Sequence, residues 1–238
     1  MALAGLKPYV AIYSTFLQRA FDQMIHDMAL HQAPVVLCID RSGIVGADGE
    51  THQGIYDTAY LGIVPGLTVL APMDQPELEA MLEASVDFPT PLAIKYPRGN
   101  CSVIKENPGN ILENVLYEKG GKTLVISYGT MMESLLKLQE EIDFDLYNHR
   151  VVFPLHLEEL NELFKGYKKI IVVEESIYTG SLAEKIKAEF CENNIHTITL
   201  NDGFLEQGTL EELRASQGLD AASIKDVIVG KGTKSKLE

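Results

Sequence analysis

The feature that most constrains this chain is the recurrence of short apolar runs separated by stretches of helical spacing. Parallel strands buried on both faces by crossover helices produce that alternation, so the expected class is α/β, built as two successive parallel-sheet units. In the first unit strands are expected at Tyr9 to Tyr13, Val35 to Asp40, Leu67 to Ala71 and Leu92 to Tyr96. Thr15-x-x-Gln18 reads as a capping box opening a helix whose apolar stripe is Leu17, Phe21, Met24, Ile25 and Met28. Asp74 caps a later helix that has Pro76 in its first turn. Asn100 to Gly121 is polar and rich in turn residues, which places a boundary near residue 110. The units are then 1–110 and 111–230, with a flexible tail over 231–238. The second unit is expected to hold strands at Thr123 to Ser127, Arg150 to Phe153, Ile170 to Val173 and His196 to Leu200. Its helices fall near 130–142, 157–165, 180–192, 209–216 and 221–229.

Composition removes several alternatives. At 238 residues the chain is one large or two small domains. With 46% hydrophobic and 23% charged residues it is not a disordered or collagen-like sequence, and no apolar run approaches the roughly 20 residues of a membrane helix. Twenty basic against 34 acidic residues give a formal charge of −14, which repels phosphate backbones, so neither nucleic acid nor membrane is an expected partner. Cys38, Cys101 and Cys191 form no Cys-x-x-Cys pair. That usage, with no targeting peptide at the N-terminus, suits a reducing cytoplasm.

In open parallel sheets ligands lie beyond the carboxyl ends of the strands, which directs attention to Tyr13, Asp40-Arg41 and Tyr96-Pro-Arg98. The connection Asp40-Arg-Ser-Gly-Ile-Val-Gly-Ala-Asp-Gly-Glu-Thr-His-Gln-Gly54 is long and glycine-rich. Arg41, Asp48 and His52 supply a cation, a carboxylate and a group titrating near neutrality, a set suited to proton transfer beside an anionic substrate. A tight loop with solvated charges has the same composition. Tyr13, Phe16 and Arg19 sit at a strand-to-helix junction, where an aromatic face can stack on a flat heterocycle, although a lone Phe at a helix start more commonly packs in the core. Arg98 by itself reads as a surface arginine, Glu174-Glu175 as a solvated turn and Gly129-Thr130 as a helix cap. His26, His31, His149, His156 and His196 lack metal-ligand spacing and no Gly-x-Ser-x-Gly elbow exists, so neither a metal site nor a serine hydrolase is expected.

Three ordered motifs, Lys7-Pro-Tyr-Val-Ala-Ile-Tyr-Ser-Thr-Phe-Leu-Gln-Arg-Ala-Phe-Asp-Gln, the Asp40 to Gly54 loop, and Lys95-Tyr-Pro-Arg-Gly, resemble the 1-deoxy-D-xylulose 5-phosphate synthase family of transketolase-like thiamine enzymes. The resemblance is looser from about 122 to 230, where it is to the C-terminal transketolase domain, and His156 stands where relatives commonly carry an acid. It implies a transferase that condenses pyruvate with glyceraldehyde 3-phosphate on thiamine diphosphate, with magnesium, toward isoprenoids, thiamine and pyridoxal. By resemblance Phe16 meets the aminopyrimidine, with Arg19 as neighbour. Arg41 and Arg98 hold the acceptor phosphate with Tyr13 alongside, and Asp48 and His52 orient the acceptor and move protons. The resemblance also implies that the diphosphate-binding domain and the start of the pyrimidine domain are missing. The chain is therefore expected to be an inactive C-terminal part that binds no cofactor alone, needs an N-terminal half, and pairs as a homodimer when complete. The alternatives are the C-terminal half of a split transketolase and a non-catalytic partner-binding module.

Overall fold

The computed structural model describes residues 1–100 and 102–231, so Cys101 and all but the first residue of the expected tail lie outside them. Among the described residues ten strands form: β1 Tyr9–Tyr13, β2 Val36–Asp40, β3 Thr68–Leu70, β4 Leu92–Lys95, β5 Val115–Tyr117, β6 Thr123–Ser127, β7 Asp145–Asn148, β8 Val151–Phe153, β9 Lys169–Ile177 and β10 Ile195–Leu200. They make two five-stranded sheets, ordered β1-β2-β4-β3-β8 and β10-β9-β6-β7-β5. Each is parallel except for one antiparallel edge strand, β8 in the first and β5 in the second. The expected α/β architecture is present. Val36, Leu37 and Ile39 of β2 are all buried, as expected of a strand covered on both faces.

The nine α-helices of the described residues are α1 Ser14–Leu17, α2 Phe21–Gln23, α3 Asp57–Leu61, α4 Gln75–Ser85, α5 Met131–Glu141, α6 Leu157–Phe164, α7 Leu182–Glu189, α8 Leu210–Ser216 and α9 Ala221–Ile228. Asp74 caps α4 as expected, accepting from the Glu77 N–H. The capping box at Thr15 does not form. Its helix starts two residues earlier, at Ser14 with Tyr13 at the N-cap and no side-chain capping bond, and Thr15 is buried with its hydroxyl unpartnered. The segment then passes through a 3₁₀ turn at Gln18–Ala20 and a π-helical stretch at Met24–Ala29. Those changes of winding keep Leu17, Met24 and Met28 in the core.

Strand β8 was expected in the second sheet but closes the first, with Leu70 opposite Val151 and Val69 opposite Phe153. A parallel sheet ending at β3 would leave an open edge, and β8 covers it. Just before β8, Arg150 is buried and forms an ion pair of 2.7 Å with the buried Glu77 of α4. It also donates to the carbonyls of Pro108, Asn110 and Glu113 at 2.6 to 2.9 Å. A single guanidinium thus satisfies the backbone of the polar connection between the units. One apolar cluster runs across both sheets, joining Ile39, Val69 and Ala93 to Leu124, Ile126 and Val172.

Candidate active site

Register sets the site. Tyr13 pairs with Asp40 and Ile39 with Lys95, so β1, β2 and β4 end level and release Tyr13, Arg41 and the Tyr96-Pro-Arg98 turn along one sheet edge. Arg41 adopts a left-handed backbone, φ 59°, costing a non-glycine residue roughly 1–2 kcal/mol, and its N–H donates to Asp40 Oδ1 at 2.7 Å. Two backbone hydrogen bonds between Gly43 and Gly54, of 2.8 and 2.9 Å, close the loop into a ring. Gly54 is required there, since a Cβ would lie 2.0 Å from the Arg41 carbonyl oxygen.

The second unit holds the loop from behind. The buried Gln53 amide accepts from Val45 N–H at 2.9 Å and donates to the Glu206 carbonyl at 3.1 Å. Gln207 donates to the Ala47 carbonyl at 3.0 Å, and Glu175, paired with Arg214 at 2.5 Å, packs against Gly43.

Arg41 lies over the Tyr13 ring, Cζ 4.1 Å from its centroid, and donates to the Tyr13 hydroxyl at 3.0 Å and to Asp48. Asp48 is also 3.6 Å from Arg98 Nε, so two guanidinium groups converge on one carboxylate. Phe16 stacks on Tyr13 with centroids 5.2 Å apart and meets His52 edge-on at 5.7 Å, while Arg19 sits 5.9 Å from its ring. His52 Nδ1 is 2.9 Å from the Thr51 hydroxyl, leaving its other ring nitrogen without a partner among the described residues. All seven sequence candidates therefore fall along one edge.

Core packing does not claim Phe16, a residue that is 42% exposed. An exposed aromatic face backed by a second ring fits a flat heterocycle such as an aminopyrimidine. Among the described residues no group of three or more His, Cys, Asp or Glu side chains is placed to hold a metal ion. The residues present thus fit the aromatic ring of thiamine diphosphate.

Glu174-Glu175 is no solvated turn: both lie within β9, and Glu174 is buried, accepting from Tyr128 OH and Ala183 N–H at 2.7 Å each. Burial raises its pKa. Gly129-Thr130 does stand at the start of α5, with Thr130 at its N-cap and no side-chain capping bond. Sequence reasoning missed the partners of Glu174 altogether. Lys95, buried at the end of β4, donates to Asp57 and Thr58 at 2.6 Å each, and Thr58 meets Tyr128 at 3.1 Å. This chain of polar groups links the units, and a lysine ending an apolar strand gave no sign of it.

Two family descriptions match the chain. Residues 1–103 match "Transketolase, pyrimidine binding domain" and residues 114–224 match "Transketolase, C-terminal domain". The chain belongs to the transketolase family. Curated relatives include 1-deoxy-D-xylulose-5-phosphate synthases of Clostridium perfringens, 39% identical over 96% of this chain, and Haemophilus influenzae, 37% identical over 96%. The chain spans about two fifths of their length, 39% and 38%. Among solved structures, one described as a split gene transketolase in an inactive beta4 tetramer superposes with a TM-score of 0.85 at 18% identity, covering 96% of this chain and 77% of that one. A transketolase from Campylobacter jejuni gives 0.75 at 18% identity, covering 94% of this chain and 35% of that one. These two share the transketolase fold. The family expected from the three motifs is the one found.

Proposed function

We propose that this chain supplies the pyrimidine-facing and acceptor-facing part of a 1-deoxy-D-xylulose 5-phosphate synthase site, in which pyruvate and glyceraldehyde 3-phosphate condense with loss of carbon dioxide. The observation that carries this reading is the convergence of Arg41 and Arg98 on Asp48, beside Tyr13, Phe16 and His52. Two guanidinium groups can fork onto phosphate oxygens in a way a neutral acceptor would not need. Phe16, with Arg19 at its rim, would hold the aminopyrimidine by stacking. Thiamine diphosphate, when bound, supplies the electron sink that decarboxylation of pyruvate requires. Tyr13 and Asp48 keep the arginines side by side. His52 delivers a proton to the acceptor aldehyde oxygen as the carbon bond forms, which an arginine cannot do at pH 7.

On this reading the diphosphate and its magnesium are held by residues outside this chain, so the purified chain alone does not condense the substrates. The complete enzyme works as a homodimer in the cytoplasm, and the chain divides near residue 110. The fold neighbour named as a split transketolase keeps a second reading open, a half that transfers two-carbon units between sugar phosphates. Identity of 39% with the synthases against 18% with that transketolase favours the first.

The test is a pair of variants in the enzyme completed with a diphosphate-binding half. Arg41→Ala and Arg98→Ala should each raise KM for glyceraldehyde 3-phosphate about ten- to a hundredfold, the loss of one charge-assisted contact, while KM for pyruvate moves little. Equal effects on both substrates would refute the phosphate assignment.

A further inference from the structure

A cavity of about 350 Å³ lies on the seam between the two units, away from the site described above. Leu61, Val64 and Leu67 line it from the stretch before β3, Phe153 and Leu155 from the end of β8, and Lys185 from α7. Thr68, also in its wall, begins β3 and pairs with Leu92, the first residue of β4. Tyr13, Arg41 and Arg98 lie past the opposite, carboxyl ends of their strands. The cavity is therefore at the other end of the sheet.

Its size falls within the range of small-molecule sites, and its walls are mainly apolar, with Thr68 and one cation, Lys185, as the polar side chains. The Lys185 ammonium sits 5.6 Å from the Phe153 ring centroid. Among the described residues it has no carboxylate within ion-pair distance and no hydrogen-bond acceptor. In a chain of formal charge −14, a half-buried lysine left without an acid at the mouth of an apolar cavity is unusual company. The long-range field of that charge is screened beyond about 8 Å at physiological salt, so the local ammonium decides what sits beside it.

We propose that this cavity binds a small amphipathic carboxylate, its apolar body among Leu61, Val64, Leu67 and Leu155 and its head on Lys185. A phosphate head would call for more donors than one ammonium, and among the described residues no second cation lines the cavity. Gly62 packs close under the lysine stem, where a Cβ would lie 2.7 Å from the Phe153 ring and 3.0 Å from Lys185 Cε, so only glycine lets Phe153 and the lysine stem settle together at the cavity wall.

The experiment titrates the 238-residue chain with octanoate and, separately, with the neutral octanamide, following amide and methyl NMR shifts. Octanoate should bind saturably, with the largest shifts at Val64, Leu67, Leu155 and Lys185. Its Kd should be about fivefold lower than that of octanamide, the effect of one partly exposed ion pair. Lys185→Gln should remove that preference while leaving octanamide binding unchanged, and Lys185→Arg should restore it. Equal binding of the two probes to the unmodified chain, retention of the preference in Lys185→Gln, or shifts that map to the Arg41 and Arg98 edge would overturn the proposal. So would concentration-dependent shifts of the same residues without ligand, which would make the cavity a contact between two copies.

Discussion

Asp48 faces two arginines at once, accepting a hydrogen bond from Arg41 and lying 3.6 Å from Arg98 Nε, and that arrangement has an electrostatic consequence. With its carboxylate in place the Arg41, Asp48 and Arg98 cluster carries one net positive charge rather than two. Asp48→Asn keeps the shape and removes the negative charge, so the chain alone should bind inorganic phosphate about three- to tenfold more tightly at low salt. The gain should shrink as salt is raised, because exposed charges are screened. Calorimetric titration measures both, and unchanged affinity at low salt would mean the arginines do not face the anion together. His52 tests the chemistry rather than the binding. In the completed enzyme His52→Ala should lower turnover by about 10² to 10⁴, the range of general acid–base groups. His52→Asn can keep a hydrogen bond to the Thr51 hydroxyl but cannot transfer a proton at pH 7, so it should be nearly as slow. Near-normal turnover in His52→Asn would move proton transfer elsewhere.

At the scale of elements, what the sequence revealed depended on how each strand is buried. β2 and β4 are continuous apolar runs and were legible almost to the residue. β7 was not, because Asp145 and Asn148 lie buried at its two ends and break the run. Both are satisfied from a distance: Asp145 accepts from Lys119 and Gly121 N–H at 2.6 and 3.1 Å, and Asn148 donates to Glu77 at 3.0 Å. β5 is three residues long and exists only as β7's partner. Between β7 and β8 sits His149, fully buried, with neither ring nitrogen partnered. Burial lowers its pKa from 6.5 to about 3. A histidine whose pKa is depressed by folding stabilises the fold fully above its unfolded value and loses that contribution as pH falls from about 6.5 toward 3, at about 1.4 kcal/mol per pH unit. His149→Phe, of similar shape and with no ionisable nitrogen, should flatten the acid side of the stability curve while leaving neutral stability equal or higher. Urea unfolding at several pH values checks this, and an acid limb as steep as that of the parent chain would show that another group titrates.

Across the whole molecule, the two units meet where the site is built. Gln53, Glu175, Glu206 and Gln207 tie the loop of the first unit to the second, and Lys95, Thr58, Tyr128 and Glu174 join the two units through a chain of hydrogen bonds. The candidate site itself was legible in the sequence, because Tyr13, Arg41 and Arg98 follow the carboxyl ends of recognisable strands and Asp48 and His52 share one glycine-rich loop. Its support was not, since a buried lysine, glutamate or glutamine finds its partner tens of residues away and leaves no local pattern. The central claim is that this chain completes a synthase site whose diphosphate-binding residues lie elsewhere. The most direct measurement assays carbon dioxide release and deoxyxylulose 5-phosphate formation from pyruvate and glyceraldehyde 3-phosphate, with thiamine diphosphate and magnesium, for the purified chain with and without a diphosphate-binding half from a synthase. Product is expected only from the pair. Turnover by the chain alone, or a pair that forms no deoxyxylulose phosphate yet moves two-carbon units between sugar phosphates, would contradict the account.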